Sequence, residues 1–170
     1  MTDGRNPWLG YGRNKYGAYV CYEENGKIIN FTQLFKSGEL WGIDTRIDKN
    51  RIMSLGGIDF GFFPCVAFEQ TFVLTLNNYL KFDNEILKLP LPLKFIAGAT
   101  DVMGYRMSCP PGMNFTGFVK FAGNVVDDHI IFDGIIEDYS ENARTILRQF
   151  FEYVWEECGL VRPDKERLDR

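Results

Sequence analysis

Two runs of strand-forming residues separated by Asn25-Gly26 constrain this chain more than any other feature. Residues 16–23 (Tyr-Gly-Ala-Tyr-Val-Cys-Tyr-Glu) and 27–34 (Lys-Ile-Ile-Asn-Phe-Thr-Gln-Leu) are rich in the aromatic and β-branched side chains that suit a pleated surface. A two-residue link between antiparallel strands needs positive φ at its central positions, which Asn and Gly adopt at least cost. The spacing therefore predicts a tight hairpin and commits the chain to antiparallel sheet. Residues 40–47, bounded by Ser37-Gly38 and by Asp48-Lys49-Asn50, predict a third strand. The first fifteen residues, with Gly4, Pro7, Gly10 and Gly12, show no period and predict an irregular arm.

Beyond this the pattern changes. Residues 53–63 place Gly56, Gly57 and Gly61 among apolar residues and fit either a loop or a bulged strand. Pro64 opens a helix, where its missing N–H is harmless. Phe68, Phe72, Leu76 and Leu80 then recur every fourth residue, with Cys65, Val73 and Tyr79 widening the stripe. Glu69, Gln70, Asn77 and Asn78 fall off that stripe, and the helix should end near Lys81. Strands are expected over 93–100, over 104–107 returning alongside it, over 118–121 and over 129–136, with Cys109-Pro110-Pro111-Gly112 as a stiff turn. A second helix over 140–158 buries Ala143, Ile146, Leu147, Phe150, Phe151, Val154 and Cys158. Asp138 with Glu141, or Ser140 alone, caps its start, and Gly159 with Pro163 ends it.

The expected fold class is α+β: a mostly antiparallel sheet of about five to seven strands with two amphipathic helices packed on one face. The expected organisation is an arm at 1–15, a single α+β domain at 16–159 and a charged tail at 160–170. With 170 residues, 45% of them hydrophobic, the chain can bury a core without staples. Its fifteen Phe, eight Tyr and three Trp are accounted for first by that core.

The net charge is −4, and from residue 127 onward acids outnumber bases about two to one. A phosphate backbone would be repelled there, which argues against direct nucleic-acid binding. Cys21, Cys65, Cys109 and Cys158 form no Cys-x-x-Cys pair and follow no secretory signal, so they are expected as reduced thiols in a cytoplasmic protein. No apolar run approaches the roughly 18 residues of a membrane span.

Catalytic chemistry has few candidates. His129, in Asp127-Asp128-His129, is the one histidine and has no evident nucleophile beside it, which suits a strand-end position. The scattered Cys and single His give no zinc spacing, and Asp127, Asp128 and Asp133 suit a solvated loop better than an oxygen-ligand site. Gly10-Tyr11-Gly12 and Gly56-Gly57 lack the Gly-Lys-Ser/Thr of a phosphate loop. No metal and no cofactor is expected, and no catalytic residue is assigned. The segment Trp41-Gly42-Ile43-Asp44-Thr45-Arg46-Ile47 alternates apolar Trp41, Ile43 and Ile47 with Asp44 and Arg46 on one strand face. That face could meet a polar ligand or partner, or pair internally or with Arg106, so Trp41, Asp44, Arg46 and Arg106 are the candidate binding residues.

The run ending Asp44-Thr45-Arg46-Ile47, the Phe- and Leu-rich helix, and the strands through Phe95-Ile96-Ala97 and Gly104-Tyr105-Arg106 together resemble the α+β module that follows DNA-binding domains of the Schlafen/AlbA type in bacterial proteins. The resemblance covers residues 16–108, and the glycine-rich stretch at 53–63 departs from it. The DNA-binding domain has no counterpart here. What the resemblance implies is a bacterial, cytosolic accessory or sensing module. The leading expectation is a non-catalytic interaction or regulatory module with a protein partner or a homo-oligomer. The alternatives are a small-molecule or nucleotide sensor, using Arg46 or Arg106 for an anionic group, and a carboxylate-dependent hydrolase using Asp44 or the Asp127, Asp128 and His129 group.

Overall fold

The computed structural model describes residues 8–45, 52–55, 58–109 and 120–163. Its contacts separate two compact units, Met1–Asn50 and Arg51–Arg170, where the sequence suggests one domain over 16–159.

The first unit is a four-stranded antiparallel meander: β1 (Trp8–Arg13), β2 (Gly17–Glu24), β3 (Lys27–Phe35) and β4 (Leu40–Asp44), each paired with the next. The β2–β3 turn is the expected one, with Asn25 at φ 52 and Gly26 at φ 75. Residues 8–13 are strand rather than arm. Gly12 makes room instead of breaking structure: a Cβ there would come within 2.9 Å of the Tyr19 hydroxyl on the facing strand. Asn14 closes the β1–β2 turn, its Oδ1 accepting from the backbone N–H groups of Tyr16 (2.9 Å) and Gly17 (3.0 Å). The same side chain donates to Oε1 of buried Gln33 (2.8 Å), whose Nε2 donates to the carbonyls of Ala18 and Leu34. That amide is thus satisfied inside the sheet.

The second unit holds two sheets. β5 (Ile52–Leu55) pairs antiparallel with β6 (Ile58–Pro64), β6 runs parallel to β8 (Arg106–Cys109), and β8 is antiparallel to β9 (Lys120–Ala122). β7 (Leu93–Thr100) and β10 (His129–Ile136) form a separate antiparallel pair. The described strands therefore form sheets of four, four and two, not one sheet of five to seven. The stretch at 53–63 contains β5 and most of β6, with Gly56 and Gly57 outside the described residues. β8 does not return along β7. It joins β6, because α1 (Cys65–Phe82) and β7 together form the crossover that a parallel neighbour requires.

α1 runs on into a π turn, Asp83–Leu87, closed by Lys88 at φ 52, so the helical path passes the expected stop at Lys81. The second helix is two pieces, α2 (Ala143–Ile146) and α3 (Arg148–Glu157), offset at Leu147 (φ −85, ψ 0) with backbone hydrogen bonding maintained across the break. Its cap is Asn142, which accepts from Arg144 N at 2.9 Å, while Asp138 holds the preceding turn through Ser140 N. Gly159, at φ 68, ends α3 in a Schellman motif: its N–H meets Glu156 O and that of Leu160 meets Trp155 O. α1 packs on β6 and β8 whereas α3 packs on β10, so the helices do not share one sheet face.

The apolar stripes of α1 and α3 also meet each other. Phe68 lies 5.1 Å from Phe63 and 4.9 Å from Phe72, which lies 4.8 Å from Phe150, and Phe151, Leu147 and Val154 are buried around them. Cys65 and Cys158 are buried in this unit and Cys21 in the first. Among the described residues no helix is long and apolar enough to cross a membrane.

Candidate functional site

Directly opposed residues of antiparallel strands share a sheet face. In the first unit this places Gly12, Tyr19, Gln33 and Trp41 in one row and Gly10, Cys21, Phe31 and Ile43 in the next. Tyr19 stacks on Phe31 at 5.9 Å, Trp41 lies 5.3 Å from Phe35, and Phe35 lies 6.2 Å from Tyr16. Trp41 is 59% exposed, Ile43 55% and Tyr16 53%. The Lys15 ammonium sits 4.8 Å above the Tyr16 ring, and exposed Lys36 donates its backbone N–H to Tyr16 O. The result is an aromatic row running from the turn before β2 across β3 to the edge strand β4, with the Lys15 ammonium at one end.

The other sequence candidates do not join it. Asp44, opposite Asn30, lies on the reverse face of β4 from Trp41. Arg46 and Ile47 are outside the described residues. Arg106 belongs to the second unit, where its guanidinium carbon lies 4.3 Å from the Phe60 ring centre. Asp127, Asp128 and His129 are exposed, and Asp133 pairs with Lys94 at 3.0 Å. Among the described residues, no three His, Cys, Asp or Glu side chains gather as a metal site would require. Gly10 and Gly12 are strand positions, not a loop that could cradle phosphate.

The most engaged polar group is one that helical spacing assigns to the outer side. Glu69 on α1 is only 2% exposed. Its Oε1 accepts from Arg162 Nε (2.8 Å) and Trp155 Nε1 (3.2 Å). Its Oε2 accepts from the second arm of Arg162 (2.7 Å) and from Arg144 (3.3 Å). No protein-family model, curated protein or solved structure matches the chain. A carboxylate with four donors on its two oxygens is a clamp, since no lone pair is left facing a substrate proton.

Asp83, at the end of α1, is the opposite case: its Oδ1 is buried with no hydrogen-bond partner, and burial pushes its carboxyl above the usual range. Burial also raises the Tyr139 phenol, with the nearby Asp83 charge adding to it. The Tyr139 hydroxyl donates to Leu89 O at 3.0 Å and so stays occupied.

Proposed function

We propose that the chain is a non-catalytic interaction module whose contact surface is the row Tyr16, Phe35 and Trp41 with Ile43. Trp41 carries this reading: a large side chain, 59% exposed on an edge strand, touching other rings instead of a core. Adjacent exposed apolar groups mark contact surfaces, and buried aromatics anchor them once a partner arrives. The partner is a second copy of the chain. Lys15 and Lys36 flank the row, and the acid excess beyond residue 127 gives another copy the complementary charge. The setting in a bacterial cytosolic system rests on the resemblance alone.

Light scattering tests this. Wild-type protein is expected to exceed the 19.6 kDa of one chain, with a mass that grows with concentration and falls with salt. Trp41→Ala should weaken association by about 2 kcal/mol, roughly thirty-fold in the dissociation constant. A wild-type mass of one chain at every concentration would exclude the second copy.

A further inference from the structure

We infer that the outer face of the β7 and β10 pair is the surface on a second copy that receives the aromatic row of the first unit. The inference rests on the proposed self-association and names the other half of that contact.

β7 and β10 pair over eight residues each, and alternation gives the pair two unlike faces. On the inner face Ala97, Ile130 and Ile136 are buried, and Phe132 lies 6.3 Å from Phe150 of α3. On the outer face every residue is exposed, and three are isoleucines: Ile96 at 70%, Ile131 at 55% and Ile135 at 63%. An antiparallel sheet with one face on a core ordinarily turns polar side chains to solvent on the other. Three aliphatic side chains there form an apolar patch instead. Gly98 stands directly across from Ile131 and adds no side chain, which leaves a low point beside that isoleucine.

The charges around the patch select its occupant. Lys94 and Asp133 lie on the face and neutralise each other at 3.0 Å. Exposed Asp127 and Asp128 precede β10, and exposed Glu137 and Asp138 follow it, so both ends of the isoleucine strand are acidic. The row on the first unit offers the converse: rings with centres 6.2 and 5.3 Å apart, and the Lys15 ammonium at one end. Rings against β-branched side chains are favourable sheet contacts, and opposite charges at the rim orient them. Strands of this length extend about 26 Å, enough to seat the whole row. A row meeting a row would oppose cation to cation, and a face meeting a face would oppose acid to acid.

Mixing two defective variants tests the pairing. Trp41→Ala damages the row and leaves the face, whereas Ile131→Lys puts a cation on the face and leaves the row. Each alone is expected to weaken self-association, the second by about a hundred-fold, as read by sedimentation velocity. An equimolar mixture should recover a complex of one copy of each, because each variant supplies the surface that the other has lost. Two weakened variants whose mixture stays at the mass of one chain overturn the inference and leave the row standing, as does an Ile131→Lys protein that associates like wild type. A Trp41→Ala protein that associates like wild type removes the row, and the inference falls with it. Should Ile131→Lys not fold, as judged by circular dichroism, Ile96→Lys takes its place with the same outcomes.

Discussion

Replacing Asp83 by Asn should stabilise the protein at neutral pH, the direction expected when a negative charge is removed from the C-terminal end of a helix. The Asp83 Oδ1 is buried without a hydrogen-bond partner, and burial raises its carboxyl above the ordinary range. An unsatisfied buried acceptor costs about 1–3 kcal/mol, more when charged. Asparagine leaves an uncharged polar atom in the same place, so the substitution removes only the extra cost of the charge; Asp83 is only partly covered and solvent screens it, so that cost is at most about 1 kcal/mol. The sign follows from proton binding. A carboxyl with a raised value in the folded state holds its proton more tightly there than in the unfolded chain. Its contribution is fully present below the ordinary aspartate value of about 4, is lost as pH rises through the raised folded value, and stays lost above it. Asparagine does not titrate. The stability difference between Asp83→Asn and wild type should therefore be near zero at low pH, grow through the acidic range, and level off at no more than about 1 kcal/mol, or about 2–4 °C for a chain of this size. Tyr139 does not disturb this window, because its own shift moves it to higher pH. Urea unfolding of both proteins, followed by circular dichroism at a series of pH values, measures the curve. A wild type more stable than Asp83→Asn at pH 7, or a difference independent of pH, would refute the reasoning.

Two further substitutions separate backbone effects from packing. Gly123 (φ 77) and Gly26 (φ 75) share a left-handed conformation, but a Cβ on Gly123 would collide with the Cys158 carbonyl whereas Gly26 faces open space. Gly26→Ala should cost about 1 kcal/mol and Gly123→Ala well over 2 kcal/mol, or fail to fold, as read by chemical unfolding. Asn142→Ala should lose about 1 kcal/mol as the helix cap is removed, while Ser140→Ala, which deletes only a hydroxyl from the preceding turn, should change the urea midpoint little.

What the sequence discloses here is local. Asn25-Gly26 fixes its hairpin because the required φ values belong to those two residues, and Phe68, Phe72 and Phe150 find the core because helical spacing puts them on one side. Alternation along β4 likewise separates Trp41 from Asp44 before any partner strand is known. Partition into sheets is not local. Nothing in Arg106–Cys109 specifies whether it lies beside β7, its nearest predecessor, or beside β6, which it reaches only because α1 and β7 carry the chain across.

The same limit governs the polar groups. By period alone, Glu69 belongs with Gln70 on an outer helix face, yet it is buried because Arg162, 93 positions later, delivers a matching fork. Gln33 is buried inside a strand because Asn14 and the Ala18 carbonyl reach it from two other elements. In each case burial would be costly if the partner were absent, so the polar residue and its distant partner have to be read as one unit. Trp41 is the reverse case: its aromatic neighbours lie within its own sheet, and they leave most of the ring in solvent. A buried polar group completed from afar and an exposed ring left uncovered are opposite departures from hydrophobic patterning. The first asks for a partner already within the chain, and the second asks for one outside it.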